Sequence, residues 1–282
     1  MLSVILGSLL ALSQIQVHSD SKTIHVATSI FPIAAIVEEI GGSSVEAVAF
    51  IPPGADPHRF DLTPSAAANL SKADLILLIG GDFDSWIAKG YAQTKHVVEI
   101  YRSIEDSLIS LGSSFNPHFW LDPLIAKPIA SEIAGNLASL DPENSGFYTR
   151  NLEKFCSRID SLDAWIRSKL NSKKGKAFIS LHPSWSYLAR RYNLNEVETL
   201  ERSPEQEPSV KHIKEVIKKI KKMGIDLIIG EEFSNLSLAN SVSQATGARV
   251  LILDPIGGKN KEGRSNYFDL IGYNVERIAE IP

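Results

Sequence analysis

The sequence has little of what thiol chemistry requires. Only one of its 282 residues, Cys156, is a cysteine. A single thiol excludes an intramolecular disulfide, a zinc site built from several cysteines and an iron–sulfur cluster. Any metal that this chain binds must therefore be held by histidines and carboxylates.

The sequence also lacks an excess of positive charge and the usual nucleotide-binding glycine motifs. It has 29 Lys and Arg residues against 33 Asp and Glu residues, a formal net charge of -4. No strong positive field is available for a polyanion, so no nucleic-acid partner is expected. The glycine pairs form neither G-x-G-x-x-G nor a Walker loop, which argues against a nucleotide-binding enzyme.

Long apolar runs are scarce, and the notable one lies at the N-terminus. Residues 2–12 read LSVILGSLLAL. This run has the length of a secretory signal core and is shorter than the ~20 residues that a membrane-spanning helix needs. We predict that residues 1–21 are a signal peptide or N-terminal leader. The protein is then exported to an extracytoplasmic location, either periplasmic or at the cell surface.

Short β-branched runs alternate with helical patterns along the rest of the chain. Such alternation is typical of βαβ units and a parallel sheet. It occurs twice, which predicts an N-terminal α/β lobe at residues 22–140 and a C-terminal α/β lobe at residues 175–282. The predicted strands are HVATSIF, VEAVAF, LILLIG and HVVEI in the first half, and KAFISLH, LNEVETL, IDLIIG and RVLILD in the second.

A single long amphipathic helix is predicted between the lobes, in residues 141–174. Apolar residues recur there at spacings of three or four from Tyr148 to Leu170. A helix from Pro142 to about Ser172 is ~45 Å long at a rise of 1.5 Å per residue. Asp141 and Pro142 form a typical helix start, and Gly175 follows the end. We expect a rigid connection between the two lobes.

Four segments place a potential metal ligand at a strand end or in a proline-bounded loop. They are PPGADPHRFDLTPS with His58, NPHFWLDP with His118, ISLHPSWSYLARRY with His182, and LILDPIGG with Asp254. Ligands of open α/β sheets bind beyond the carboxyl ends of the strands, so these residues are candidates for one site. Three neutral imidazoles and one carboxylate make a four-coordinate set for a divalent ion.

Two further carboxylates, Glu231 and Glu232, follow the strand IDLIIG. Either could replace a ligand or hydrogen-bond a ligating imidazole. A zinc-dependent hydrolase is a less favoured alternative, because it needs an open metal position and a general base, for which these two residues are the candidates. No H-E-x-x-H motif is present.

The four ligand segments, in this order and with a long helix between the second and third, resemble the zinc and manganese solute-binding proteins of bacterial and archaeal ABC importers. The resemblance covers essentially the whole chain after the leader. It implies two lobes with four-stranded parallel sheets flanked by helices, joined by one rigid helix, and a metal ion in the cleft between the lobes. The implied metal ligands are His58, His118, His182 and Asp254.

The resemblance implies a binding protein and not an enzyme. Its expected function is high-affinity binding of a divalent transition metal and delivery to the membrane permease of an ABC importer. Zinc is favoured because manganese-preferring members often have a glutamate at the position of His182, and imidazole suits zinc. A manganese or iron carrier is the alternative. A role in adhesion stays open, since no residue argues for or against it.

Two features common in the family are missing here. Many zinc-binding members have a long histidine-rich loop between the first two ligands, whereas residues 101–115 contain no histidine. Many members also have a lipid-anchoring cysteine after the leader, and no cysteine lies near residue 20. We therefore expect no metal-collecting loop and no lipid anchor, so that the protein is either released after cleavage of the leader or held by an uncleaved leader. We also expect a monomer.

Overall fold

The computed structural model describes residues 23–93, 95–201 and 207–281. The predicted leader, residues 1–21, lies outside these ranges. Within them, no helix combines the length and the apolar character that crossing a bilayer requires.

The first half of the chain forms a parallel sheet with the strand order β2-β1-β3-β4. Every residue of the inner strand β3 is buried, as expected for a parallel strand covered by helices on both faces. The strands are β1 (Ile24–Thr28), β2 (Val45–Ala49), β3 (Leu75–Leu78) and β4 (His96–Glu99), and the helices of this half are α1 (Phe31–Gly41), α2 (Pro64–Lys72), α3 (Ser85–Tyr91) and α4 (Ala126–Leu140).

A short antiparallel hairpin follows the first sheet and leads toward the second predicted ligand. It consists of β5 (Ser110–Leu111) and β6 (Ser114–Phe115).

The second half repeats the architecture of the first. Its parallel sheet has the order β10-β9-β7-β8. If the four strands of each half are numbered from one to four, both sheets have the order 2-1-3-4, the second one read in reverse. All eight predicted strands are present, and the predicted fold class is confirmed. The strands are β7 (Ala177–Ser180), β8 (Asn195–Thr199), β9 (Leu227–Glu231) and β10 (Arg249–Leu253), and the helices are α6 (Ser186–Tyr192), α7 (Val210–Met223), α8 (Ser237–Thr246) and α9 (Tyr267–Ala279).

The long helix between the sheets is α5 (Ser145–Lys169), with 25 residues. A 3-10 turn at Pro142–Asn144 leads directly into α5, so the helical segment begins at the predicted Pro142. The α-helix ends at Lys169, before the predicted end near Ser172, and a second 3-10 turn follows at Asn171–Lys173. The Asp141 carboxylate accepts hydrogen bonds from the side chains of Asn144 and Tyr148, at 2.7 and 2.8 Å, and caps no backbone N–H of α5. Gly175 donates its N–H to the Asn193 carbonyl and so belongs to the turn into β7.

The main hydrophobic core is continuous across the two halves of the chain. Helix α5 packs against α1 and α4 on one side and against α9, from the second half, on another. The Phe155 ring of α5 lies 5.3 Å from the Phe268 ring and 6.1 Å from the Tyr267 ring of α9. A smaller cluster fills the space between the second sheet and helices α7 and α8.

Buried hydrogen bonds also connect the two halves near the predicted ligands. The indole N–H of Trp120 donates to the Pro255 carbonyl at 2.8 Å, and the Tyr267 hydroxyl donates to the Trp120 carbonyl at 2.7 Å. All three residues are buried. Opening the cleft by a wide hinge motion would break these bonds and expose the shared core.

We therefore expect little change of overall shape when a metal binds. Small-angle scattering of chelator-treated and zinc-loaded protein should give the same radius of gyration within experimental error, with any rearrangement confined to the segments around His182 and Asp254. The His182→Ala variant, measured with and without zinc, is the control. A clear decrease in radius on loading, absent in the variant, contradicts this rigid arrangement.

Candidate metal site

Three histidines from three separate loops meet between the two sheets. His58 lies in a 3-10 turn, Pro57–Arg59, whose start is capped because the Asp56 carboxylate accepts the His58 backbone N–H at 3.0 Å. His118 directly precedes a second 3-10 turn, Phe119–Leu121. His182 follows β7 after one residue and precedes a third turn, Pro183–Trp185.

The Nε2 atoms of these three imidazoles converge. Nε2 of His58 lies 3.1 Å from that of His118 and 3.2 Å from that of His182. Three nitrogens around a tetrahedral zinc ion, each ~2.0–2.1 Å from it, are about 3.3 Å apart. The structure thus brings together the three predicted histidines in an arrangement that fits a zinc ion with one coordination position left over.

Burial keeps the three imidazoles neutral. Desolvation lowers the pKa of His58 to about 4, against a small opposing effect of Asp56. Desolvation, together with the neighbouring imidazoles, lowers the pKa values of His118 and His182 well below 6.5. Neutral imidazole is the form that binds metal, so protons compete with a metal ion only at a lower pH than the usual histidine range near ~6.5 would suggest.

Asn116 orients His118 and contacts the turn that follows His182, and sequence reasoning missed it. Its side-chain oxygen lies 2.7 Å from Nδ1 of His118, so Nδ1 carries the proton and Nε2 is free for a metal. Its side-chain NH₂ donates to the Pro183 carbonyl, next to His182, at 2.6 Å. Its own carbonyl accepts the Tyr187 hydroxyl. The signal in the sequence was an asparagine two residues before a histidine, in NPH.

Asp254 does not join the histidine cluster. Only His58, His118 and His182 have ligand atoms within 4.8 Å of one another there. One oxygen of Asp254 accepts the N–H groups of Ile256 and Gly257, and the other pairs with Lys261 and Arg264 at 2.9 and 3.0 Å. Metal binding by Asp254 would require breaking these contacts, so its assignment as the fourth ligand stays a prediction.

The two glutamates at the end of β9 have different surroundings. Glu232 is exposed and pairs with the same two cations, Lys261 and Arg264. Glu231 is fully buried, and desolvation raises its pKa to about 8. It lies beside Ser184 and the Trp185 indole, in the turn that follows His182. Neither glutamate belongs to the histidine cluster.

In each sheet, polar residues lie at the point where the strand order reverses. In both sheets the order reverses between the first and third strands of the half, and ligands of such folds bind beyond the carboxyl ends at that point. In the second sheet, His182 and Glu231 occupy this point. In the first sheet it is filled by the buried Asp84, whose carboxylate accepts the N–H groups of Ile79 and Gly80 at 2.9 and 2.7 Å.

Three of the remaining histidines are engaged elsewhere or exposed. Nδ1 of His25 pairs with Glu46 at 3.1 Å, and Nε2 of His212 lies 2.9 Å from the Thr199 carbonyl. His96 is an exposed residue at the start of β4. His18, in the predicted leader, lies outside the described residues.

Comparison with known proteins identifies the class. The profile of a family described as zinc-uptake complex component A, periplasmic, matches residues 26–281. The chain belongs to this family of extracytoplasmic uptake components, and it is a binding component and not a hydrolase.

Relatives of the chain include proteins named for zinc uptake and for zinc binding. The chain is 24% identical to the high-affinity zinc uptake system protein ZnuA of Bacillus subtilis over 284 residues, which cover 93% of this chain and 89% of that protein. It is 25% identical to the zinc-binding lipoprotein AdcA of Streptococcus pneumoniae, of which it spans 60%. A crystal structure of ZnuA superposes with a TM-score of 0.82 at 29% identity, covering 92% of this chain and 98% of that one.

Replacing Asn116 should weaken metal binding without removing a ligand. We expect Asn116→Ala to lower the zinc affinity about 10- to 100-fold, because the His118 tautomer is no longer fixed and the Pro183 turn loses its donor. Competition with a chromophoric chelator measures the change. Asn136→Ala is the control, since that amide donates to Glu132 within its own helix, outside the histidine cluster. Equal affinities of the two variants would contradict the role of Asn116.

Acid should destabilise the metal-free protein through the histidine cluster. As pH falls below 6.5, His58 takes up a proton in the unfolded chain but not in the folded one until about pH 4, so protonation favours unfolding. Metal-free His58→Asn should therefore gain stability relative to wild type between pH 7 and 4.5, by on the order of 2 kcal/mol. The buried Glu231 acts in the opposite direction in both proteins and cancels in the comparison.

Urea unfolding at several pH values measures this difference. His25→Asn is the matched control, because His25 lies outside the cluster and its side chain is 48% exposed. A pH-independent difference between His58→Asn and wild type would contradict the acid sensitivity of the cluster.

Proposed function

We propose that this chain binds one zinc ion outside the cytoplasmic membrane and delivers it to the permease of an ABC importer. The observation that carries the proposal is the convergence of three neutral imidazole Nε2 atoms, from the buried His118 and His182 and the half-buried His58, in the cleft between the two sheets. We propose His58, His118 and His182 as ligands. The metal is the cargo of the protein, so its ligands must hold it tightly and still release it.

The type of ligand favours zinc over manganese. The cluster offers three nitrogens and no carboxylate oxygen, whereas manganese prefers oxygen ligands. The names of the similar ZnuA and AdcA proteins also point to zinc. The chain spans only 60% of AdcA, so this proposal concerns the part of AdcA that the two chains share. A manganese or iron carrier is the alternative that the binding experiment tests.

The finer points of organisation are part of the same proposal. We propose a leader at residues 1–21, an N-terminal lobe at residues 22–140, a linking helix segment at residues 141–174 and a C-terminal lobe at residues 175–282. We also propose that the protein acts as a monomer, without a lipid anchor and without a nucleic-acid partner. The shared core around α5 supports a single chain as the working unit.

Metal titration tests the proposal. Chelator-treated protein, residues 22–282, should bind one zinc per chain, and tryptophan fluorescence should respond because the Trp120 ring lies 5.2 Å from the His118 ring. Manganese should bind more weakly. His182→Ala should lose at least about 100-fold in zinc affinity, since loss of an orienting group alone costs 10- to 100-fold.

Two further variants sharpen the result. His96→Ala removes an exposed histidine outside the cluster and should bind zinc like wild type. Asp254→Asn tests the predicted fourth ligand, and a loss as large as that of His182→Ala would assign it to Asp254. Absence of stoichiometric zinc binding, or equal affinities of His182→Ala and His96→Ala, would falsify the proposed function.

A further inference from the structure

Helix α7 (Val210–Met223) concentrates positive charge in a chain that is acidic overall. Its sequence, VKHIKEVIKKIKKM, has six lysines and one acidic residue, whereas the whole chain has a formal net charge of -4. With 3.6 residues per turn, five of the lysines fall within about 100° of the helix surface. All five are exposed, and together they are called the lysine face: Lys211, Lys214, Lys218, Lys221 and Lys222.

Neighbouring carboxylates do not neutralise the lysine face. None of its five lysines makes an ion pair with a described residue, and the sixth lysine, Lys219, pairs with Glu198 at 3.0 Å on the adjoining side of the helix. Glu215 lies at the edge of the face and forms no ion pair with it. Asp226, just beyond the helix, pairs with Lys176 at 2.8 Å. The face therefore presents its positive charge to the surroundings.

Stability of the helix does not account for this arrangement. Residues three or four apart are neighbours on a helix, and like charges at these spacings repel each other. Lys214 and Lys218 are such a pair, and Lys218 has further lysines three and four residues beyond it. Lys211 lies in the first turn, where the helix dipole disfavours a cation. An anionic partner would relieve this repulsion.

The shape and composition of the lysine face favour an extended anionic surface as the partner. From Lys211 to Lys222 the helix rises ~16 Å, so the five ammonium groups follow a row and do not surround one small anion. The helix contains no arginine, tyrosine or tryptophan. These residues provide forked hydrogen bonds or stacking in specific recognition, whereas lysine acts as a mobile point charge. Such a face recognises charge density.

A phospholipid bilayer is the extended surface that fits the setting of this family. Its members are components of uptake complexes, which contain a membrane permease. Clusters of four to eight basic residues on an amphipathic helix bind anionic headgroups. Helix α7 is amphipathic, because it buries His212, Val216 and Ile220 on the side away from the lysines. Val210, which is 72% exposed at the start of the same face, adds an apolar side chain.

We propose that the lysine face of α7 docks on anionic phospholipid headgroups and holds the protein at the membrane surface. The contact concentrates the protein near its permease without requiring a lipid anchor. It goes beyond the proposed metal binding and does not require a bound ion.

Co-sedimentation with vesicles tests this inference. Protein without the predicted leader, residues 22–282, avoids attachment through the apolar run at residues 2–12. It should bind vesicles of phosphatidylglycerol and phosphatidylcholine in equal amounts, and pure phosphatidylcholine vesicles should leave it in solution. Raising the salt concentration from 0.1 to 1 M should release it, because the Debye length falls from ~10 to ~3 Å.

A triple variant of the lysine face identifies the contact. Each lysine near an anionic membrane contributes roughly five-fold to binding, so removing three should lower the vesicle affinity at least about 20-fold. This variant combines Lys214→Gln, Lys218→Gln and Lys221→Gln.

A second triple variant is the matched control. It changes the net charge equally, at exposed lysines of α2, α3 and α5, and should keep the vesicle affinity within about two-fold of wild type. It combines Lys72→Gln, Lys89→Gln and Lys154→Gln. Both triple variants should bind zinc like wild type, which shows that they are folded.

The remaining outcomes overturn the inference. If the anionic vesicles do not bind the protein, or both triple variants lose the same affinity, the lysine face is not a membrane contact. If the face binds heparin, a soluble polyanion, and no vesicles, its partner is a polysaccharide and the membrane assignment is wrong. Zinc titration is independent of vesicles, so none of these results bears on the proposed function.

Discussion

The site depends on keeping three imidazoles uncharged while the Nε2 atom of His58 lies 3.1 and 3.2 Å from those of His118 and His182. Protonated rings at such distances would repel each other strongly. Desolvation prevents protonation, and Asn116 fixes the one tautomer of His118 that leaves Nε2 available. The polar contacts around the cluster, the turns that hold each histidine and the surrounding buried aromatic rings all serve to hold this neutral arrangement in place.

The frame around the site follows from the repeated strand order of the two sheets. In each sheet, the point where the strand order reverses lies at the cleft. The long helix α5 and the hydrogen bonds of the buried Trp120 and Tyr267 fix the position of one sheet relative to the other. One reversal point is closed by Asp84, whose carboxylate is satisfied by backbone N–H groups and the Ser29 hydroxyl. The other contributes His182. The metal-binding chemistry is therefore built mainly from loops that leave this frame.

Periodicity predicted the strands and the long helix because their signals are local. The eight β-branched runs and the spacing of apolar residues through α5 needed no knowledge of tertiary contacts. The predicted start of the long helix at Pro142 holds, but its end lies earlier than predicted because Gly175 serves the turn into β7, and the Asp141 carboxylate bonds to side chains and does not cap the helix. The histidines stood out as residue types beside prolines. Asn116 and the ion pairs of Asp254 did not, because both depend on partners distant in the sequence.

The continuous core around α5 has a consequence for how the protein comes apart. Phe155 packs on two aromatic residues of α9, so the last helix of the chain completes the core begun by the first sheet. A fragment ending before α9 would leave this surface in water, and a fragment starting at β7 would lack the helix on which α9 rests. Neither half therefore has a complete hydrophobic core of its own. Although the two sheets are separate, we expect the two halves to unfold together in one cooperative transition.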